Sequence, residues 1–347
     1  MKGKVILKAL CLLLASGILL SCTGKAPANS NKETTTTQNK KEPAGAITPG
    51  KAEDHLVQNG NSYTLYSPNG QLAITVDVPE EGRMTYSVTR TRDGETLTWV
   101  RSSQMGVSVR TKHFFSSCTV EGTRAEHVKE TYALMGNQRS VESNCMQATL
   151  SLAGAGYTSA DGYSLEVRAY NDGVAFRYNI PQLKTKNNVP VEHTTYALRS
   201  DLDKCWYGVN NQDYESEISG YSPSKASDDI ITAPLTAVVK NKGGYISIME
   251  GALNSSYPGV NLKAEGKATY STCFYTTPTM QEGPMTSGWR LINIADDLNG
   301  LVNNYNIYTV NEQPDELYKD ADWIVPGRSA WSWCMSHSAP TPEQMKQ

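Results

Sequence analysis

The sequence predicts an all-β protein, a large antiparallel β-sandwich over residues 56–315. Three observations support this fold class. From residue 62 onward, short runs alternate apolar and polar residues with a period of two, which is typical of half-buried strands. Asn-Gly, Asp-Gly and Gly-Gly dipeptides separate several of these runs, and such turns join antiparallel neighbours. No stretch among these runs has the pattern of a long amphipathic helix, so a β-sandwich is expected.

The N-terminus indicates export. Three lysines precede an apolar stretch at residues 9–20, which is too short to span a bilayer comfortably, so residues 1–21 are predicted to be a signal peptide. The ending Leu-Leu-Ser-Cys resembles a bacterial lipobox, which implies cleavage before Cys22 and acylation of that residue; the alternative is an ordinary signal peptide with an incidental cysteine. The resemblance predicts a periplasmic or cell-surface lipoprotein of the bacterial cell envelope, in contact with the membrane only through its lipid anchor.

Residues 22–55 contain almost no large apolar side chain. Such a segment cannot bury enough surface to offset the entropy lost on ordering. We therefore predict a disordered tether between the lipid anchor and the sandwich.

Four strand-length runs follow in order, and each places its apolar residues on one face. They are Leu72, Ile74, Val76 and Val78; Met84, Tyr86 and Val88; Met105, Val107 and Val109; and Met146, Ala148, Leu150 and Leu152. Residues 165–180 alternate on both sides of an Asn-Asp-Gly sequence, and residues 235–248 alternate around a turn that ends in Gly-Gly. Each of these two stretches predicts a hairpin.

Composition and cysteine spacing exclude some function classes. The chain has 347 residues and a net charge of −3, so it lacks the basic surface that nucleic-acid binding requires. Cysteines 118, 145, 205, 273 and 334 show no CxxC pattern, and no paired histidines accompany them, so a zinc site is not expected. Export would permit a disulfide, but the spacing selects no pair; buried free cysteines are the default. His193 and His337 each stand alone in the sequence and are assigned to the surface or core.

The C-terminal residues predict the start of a helix. Thr341 and Pro342 suit the N-cap and first helical positions, and the sequence stops soon afterwards. A helix that begins without room to continue predicts an incomplete sequence.

Several stretches together resemble the N-terminal part of glycoside hydrolase family 97. They are "YSPNGQLAITV" at 66–76, "LEVRAYNDGVAFRY" at 165–178, "YESEISG" at 214–220, "APLTAVV" at 233–239, "IMEGALNSSYPGV" at 248–260, "GWRLINIA" at 288–295 and "DWIVPGRSAWSWC" at 322–334. The resemblance implies an exported, exo-acting enzyme with an N-terminal β-super-sandwich, a central (β/α)8 barrel and a C-terminal β domain. It implies that residues 316–347 are a linker and the cut-off start of the barrel. The catalytic carboxylates would all lie downstream, so no catalytic residue is assigned.

The resemblance also suggests site residues. Glu215 corresponds to a glutamate that helps to coordinate calcium, which accepts carboxylates from separate segments; the alternative is a solvated glutamate. Glu250 and Trp331 are candidates for substrate binding. Glu250 could instead be structural or at a sheet edge, and Trp331 could instead pack the sandwich on the barrel.

Two functional hypotheses follow. In the first, the chain is the N-terminal part of a calcium-dependent α-glucosidase or α-galactosidase, supplies a carboxylate to the calcium and sugar site, and is inactive alone. Its partners would then be α-linked oligosaccharides and its own catalytic barrel domain. In the second, the chain is a stand-alone carbohydrate-binding or surface-interaction lipoprotein without catalysis. Inverting or retaining chemistry would depend on the separation of barrel carboxylates and stays open.

Overall fold

The computed structural model describes residues 51–134, 138–209 and 217–312, together with the single positions 323, 325, 327, 328, 341 and 343. Within these residues the chain is almost entirely antiparallel β-structure, so the all-β prediction is confirmed. The predicted barrel start lies outside the described residues except for those single positions. No helix of the described residues is long and apolar enough to cross a membrane.

The strands in chain order are β1 Leu56–Asn59, β2 Ser62–Tyr66, β3 Leu72–Asp77, β4 Thr85–Arg92, β5 Glu95–Gln104, β6 Val107–Val109, β7 Lys112–Phe114, β8 Thr119–Ala133, β9 Ser140–Ala153, β10 Ser164–Tyr170, β11 Gly173–Ile180, β12 Pro190–Glu192, β13 Thr195–Ala197, β14 Leu202–Val209, β15 Ser219–Tyr221, β16 Ala226–Val239, β17 Tyr245–Gly251, β18 Asn261–Gly266, β19 Thr269–Cys273, β20 Met285–Thr286 and β21 Trp289–Ala295. The described helices are α1 Leu298–Val302 and α2 Asn306–Thr309, with 3-10 turns at Ala52–His55, Ser159–Asp161 and Lys240–Lys242.

The first five strands form one antiparallel sheet in the order in which they occur. The turn between β4 and β5 is Asp93-Gly94, whose φ angles are 52° and 82°. Positive φ at both positions is what a type I′ hairpin turn requires, and Asp-Gly tolerates it. The turn chemistry in the sequence therefore accounts for this hairpin.

A second sheet contains thirteen of the described strands. Ten follow the order β13-β19-β18-β16-β17-β21-β11-β10-β9-β8, while β14 pairs with β16, β15 with β14, and β20 with β11. The long strand β16 pairs with β18 through its first half and with β17 through its second half, so the sheet divides there. The predicted hairpin at 165–180 is β10 paired with β11, and the hairpin at 235–248 is β16 paired with β17. A small third sheet has the order β12-β6-β7.

The five-stranded sheet and the large sheet share one hydrophobic core. The predicted apolar faces of the first four runs are all buried in it. Tyr86 of β4 contacts Phe176 of β11 with ring centroids 4.9 Å apart, and Phe115 contacts Tyr178 at 4.5 Å. Burial of apolar surface stabilises the fold by about 25 cal/mol per Å². Because one side of the large sheet packs in this shared core, its other side faces away from the five-stranded sheet.

The opposite side of the large sheet, called the outer face below, carries its own smaller apolar cluster. One row of paired residues crosses this face through eight strands: Val128, Cys145, Tyr170, Gly173, Asn293, Ser247, Thr236 and Trp206. Helix α2 contributes Ile307 to this cluster, and Val310 follows the helix. The four described cysteines, at 118, 145, 205 and 273, are free.

Candidate functional site

Glu250 is the predicted site residue that the structure describes; Glu215, Trp331 and Cys22 lie outside the described residues. Glu250 is the last but one residue of β17 and lies opposite Arg290 of β21. The roles assigned to all four residues stay predictions. What surrounds Glu250 can be stated in detail.

Arg290 lies between two carboxylates on the core side of the sheet. Its Nε and Nη2 donate to the two oxygens of Glu192 at 2.8 and 2.5 Å, and its Nη1 donates to Glu250 Oε2 at 2.9 Å. The side chains of Arg290 and Glu192 are 0% and 1% exposed. A planar guanidinium matches a carboxylate through two parallel hydrogen bonds, which explains arginine at this position. Glu192, Glu250 and Arg290 are called the Arg290 cluster below.

Neutral side chains complete the hydrogen bonding of Glu192. Tyr257 OH donates to Glu192 Oε2 at 3.0 Å, and Thr194 Oγ1 donates to Oε1 at 2.7 Å. Thr194 Oγ1 also lies 2.7 Å from Tyr178 OH. Burial and the nearby Glu192 charge raise the pKa of Tyr257 well above its usual range, so the phenol stays a donor. Because its groups satisfy one another, this part of the cluster is structural.

Glu250 is the member of the cluster nearest to solvent, with a side chain 15% exposed. Its two oxygens accept from the backbone N–H of Val260 at 3.0 and 3.1 Å. Burial raises the pKa of Glu250, while Arg290 and the Val260 N–H oppose that effect. The carboxylate thus ties the segment at 252–260 to the sheet. A contact of Glu250 with sugar stays a prediction.

The neighbour of Arg290 on the same strand, Trp289, points to the outer face. The guanidinium carbons of Arg168 and Arg177 lie 4.6 and 4.7 Å from the centre of its ring. Arg177 is paired with Glu166, and Arg168 Nε donates to Gln147 Oε1 at 2.6 Å. Stacking of guanidinium on indole is favourable, particularly where water is excluded. Trp289, Arg168, Arg177, Glu166 and Gln147 are called the Trp289 face below.

The indole N–H of Trp289 is buried and has no hydrogen-bond acceptor among the described residues. Trp289 is 0% exposed, yet Arg177 and Glu166 beside it keep side-chain exposures of 22% and 17%. A buried N–H group without an acceptor is costly. The Trp289 face therefore combines an unmet donor with partly accessible charged groups, which suits contact with a further polar surface.

Glu250, Trp289 and the last residue of β14, Val209, belong to one end of the large sheet. Gly251 and Trp289 are paired at the end of β17 and the start of β21. β14 ends at Val209, paired with Ile231, and its register with β16 and β17 brings that end to the same side of the sheet. The segment with Glu215 follows Val209 in the sequence. The registers thus bring the ends of β14 and β17 and the start of β21 to one side of the large sheet.

The described residues contain no group of three or more His, Cys, Asp or Glu side chains that could hold a metal ion. Calcium takes six to eight oxygen ligands, so Glu215 alone could not hold the ion, and its calcium role stays a prediction.

The sequence suggested that His193 is an isolated histidine. In the structure, His193 and His113 both contact the hydroxyl group of Ser108. Ser108 Oγ lies 2.7 Å from His193 Nε2 and 2.9 Å from His113 Nδ1, within the small third sheet and just beyond it. Burial lowers the pKa of His193, and the charges of Arg83 and His113 lower it further. No local sequence pattern could indicate this contact, because His113 and His193 are far apart in the chain. Only the pairing of β6 with β7 and β12 brings them together.

Comparisons with known proteins agree with this architecture. The family model described as "Glycosyl-hydrolase 97 N-terminal" matches residues 65–313, well over half of the chain. A probable retaining alpha-galactosidase from Streptomyces bingchenggensis is 25% identical over 287 residues, which cover 82% of this chain and 42% of that protein. A retaining alpha-galactosidase from Bacteroides thetaiotaomicron is 25% identical over 312 residues, covering 80% of this chain and 45% of that protein. The chain thus spans less than half the length of these curated relatives.

Solved structures show the same fold. A glycoside hydrolase family 97 enzyme from Pseudoalteromonas, solved in complex with panose, superposes with a TM-score of 0.65 at 23% identity, covering 76% of this chain and 40% of that one. A beta-arabinopyranosidase superposes with a TM-score of 0.55 at 19% identity, covering 67% and 40% of the two chains.

Proposed function

The chain belongs to the glycosyl-hydrolase 97 N-terminal family, and from that membership we propose that it acts as the N-terminal domain of an exported, exo-acting α-glycosidase. In this proposal the chain supports a catalytic barrel domain, which carries the acid and base carboxylates. The similarity to two retaining α-galactosidases favours α-galactosides over α-glucosides as substrates. The predicted signal peptide and Cys22 would direct the protein to the cell envelope.

The Trp289 face is the observation that carries the docking part of this proposal. A face that served only as solvated surface would not need a buried tryptophan between two guanidinium groups, with an indole N–H that has no acceptor among the described residues. Arginine and tryptophan are enriched among the residues that contribute most of the binding free energy at protein–protein interfaces. We propose that this face docks on the barrel, which would supply an acceptor for Trp289 Nε1 and anionic partners for Arg168 and Arg177.

The predicted sugar-site residues fit the same arrangement. Glu215 would contribute one carboxylate to a calcium ion whose other ligands come from the barrel. Trp331 would stack on a sugar ring or pack the sandwich on the barrel. Glu250 would act mainly by holding the segment at 252–260, since Arg290 and the Val260 N–H engage its carboxylate. Docking at the Trp289 end of the sheet would set the position of all three.

The test joins the full chain to the part of the Bacteroides thetaiotaomicron retaining alpha-galactosidase that this chain does not match. The chain alone and the joined enzyme are assayed with an aryl α-galactoside. We expect no hydrolysis by the chain alone and measurable kcat/KM for the joined enzyme. Arg177→Gln is expected to lower kcat/KM of the joined enzyme about tenfold, since small displacements at a domain contact misplace reacting groups.

Arg110→Gln is the matched control, because Arg110 is exposed in the turn between β6 and β7, away from the large sheet. It should leave kcat/KM unchanged. Hydrolysis by the chain alone would contradict the absence of catalytic carboxylates from it. Equal kcat/KM for the two variants would contradict docking through the Trp289 face. An inactive joined enzyme, with sugar binding by the chain alone, would favour the stand-alone binding protein instead.

A further inference from the structure

A groove of about 790 Å³ lies at the other end of the strands that carry Glu250 and Trp289. Its floor includes Val238 of β16 and Tyr245 of β17, which are paired across the two strands. Ala237 and Ile246, next to them in the sequence, point into the core, so Val238 and Tyr245 point to the outer face. Leu298 of α1 forms a wall and is 59% exposed. The groove is thus partly apolar, with an aromatic ring at its base.

The rim of the groove is polar and accessible. Asp203, Lys240 and Asn241 line one side and are exposed, and Asn299 of α1 lines the other. Asp203 and Asp297 place two carboxylates in the lining and Lys240 one ammonium group, so the lining is mildly acidic. A ligand with both C–H faces and hydroxyl groups would match an apolar floor with such a rim. A mildly acidic lining disfavours an anionic ligand, and its carboxylates can accept hydrogen bonds from the hydroxyl groups of a neutral one.

The wall on the α1 side is held in place before any ligand binds. Asp296 is paired with Arg90 at 2.9 Å and with Arg92 at 2.9 Å, which connects this wall to the five-stranded sheet. Asp297 Oδ1 accepts from the backbone N–H of Gly300 at 2.8 Å and so caps α1. A groove with preset walls loses less conformational entropy on binding.

The groove is separate from the candidate site. Asp203 stands at the start of β14, and the segment with Glu215 follows Val209 at its end. Six residues of strand separate them, about 20 Å at 3.3 Å per residue. Tyr245 and Gly251 likewise stand at opposite ends of β17. A ligand in the groove would therefore not occupy the end of the sheet proposed to face the barrel.

We propose that this groove is a second carbohydrate site, which holds a neutral α-linked oligosaccharide by stacking on Tyr245 and by hydrogen bonds to Asp203, Asn241 and Asn299. The choice of sugar class rests on the proposed glycosidase function. The site itself rests on the groove. It would retain a polymeric substrate near the enzyme without taking part in hydrolysis.

The test is calorimetric titration of the full chain with maltotriose and, separately, raffinose as neutral α-linked probes. We expect binding of at least one probe, weakened about tenfold by Tyr245→Ala and several-fold by Asp203→Asn. Tyr275→Ala is the control, because Tyr275 is 38% exposed and does not line the groove. It should leave affinity unchanged.

Asn299→Trp is a second test in case Tyr245→Ala fails to fold. Asn299 is exposed, so the larger side chain should not disturb the core, and it would fill the groove. It should abolish binding while the thermal unfolding midpoint is kept. No binding of either probe, or binding that neither Tyr245→Ala nor Asn299→Trp changes, overturns the proposal. If the joined enzyme is inactive but the groove binds sugar, the proposed glycosidase function is wrong and the proposed groove site is retained. If the joined enzyme is active but the groove binds neither probe, the proposed groove site is wrong and the proposed glycosidase function is retained.

Discussion

Arg290 holds a buried positive charge between Glu192 and Glu250, so its loss would leave two carboxylates without their cation. We expect Arg290→Met to lower the free energy of unfolding by about 3–5 kcal/mol, the usual result of removing one partner from a buried ion pair. Glu250→Gln should cost only about 1–2 kcal/mol, because Arg290 keeps both hydrogen bonds to Glu192. Urea unfolding of both variants measures the difference. Equal losses would show that Glu250, not Glu192, is the main partner of Arg290.

His193 provides a pH test of a different kind. Its pKa is lowered in the folded chain from the ordinary value of 6.5, so the unfolded chain binds a proton more readily. The resulting contribution favours folding fully above about pH 6.5 and is lost as the pH falls toward the folded pKa. We expect His193→Gln to reduce the loss of stability between pH 7.5 and pH 5, measured by urea unfolding.

The control for this measurement is His127→Gln, which removes a histidine from the exposed strand β8, where it lies 2.7 Å from Asn144 Oδ1. It should keep the pH dependence of the unmodified chain. If His193→Gln and the unmodified chain lose stability in parallel, the imidazole is not responsible for this part of the acid sensitivity.

At the scale of elements, the opening of β11 depends on a close approach that only glycine permits. A Cβ at Gly173 would lie 2.7 Å from Asn293 Oδ1 and 2.9 Å from Asn306 Nδ2. Asn306 of α2 donates to Asn293 Oδ1 at 3.2 Å and to Asp172 Oδ1 at 2.9 Å, so these bonds fasten α2 to the β10–β11 hairpin. The Asn-Asp-Gly sequence predicted the turn. The reason for glycine is the packing of a helix far along the chain.

Gly173→Ala is expected to lower the free energy of unfolding by about 1–3 kcal/mol through overpacking. Gly122→Ala is the matched control, because Gly122 lies in β8 and a Cβ there would meet nothing within 4 Å. Urea unfolding is expected to show a nearly unchanged free energy of unfolding for Gly122→Ala and a clearly lower one for Gly173→Ala. The same loss in both variants would point to strand propensity in place of contact with Asn306.

At the scale of the whole molecule, the two ends of the large sheet have different proposed roles. The Trp289 end would face a catalytic barrel, and the groove at the Tyr245 end would hold sugar independently. This division follows from strand direction, since β14 and β17 each run from the groove to the Trp289 end.

Calcium removal tests this division. We expect a chelator to leave the thermal unfolding midpoint of the chain alone unchanged, because its described residues contain no group that could hold a metal ion. The same treatment should reduce the activity of the joined enzyme, whose barrel would complete the site with Glu215. A lower midpoint for the chain alone after chelation would mean that calcium is bound without the barrel.

The sequence by itself determined the all-β class, several tight turns and eight of the described strands, because strand periodicity and turn chemistry are properties of neighbouring residues. The faces of β3, β4 and β9 and the Asp93-Gly94 turn are examples. It also supported the family assignment, which depends on the order of short stretches.

The tertiary structure alone decided which charged and aromatic residues meet. Arg290 lies 98 positions from Glu192 and 40 from Glu250 in the sequence. Trp289 meets Arg168 and Arg177 from two other strands. Strand order and register produce these contacts, and a local pattern contains neither, because each hydrogen-bonded ladder is compatible with many partners until the core is packed.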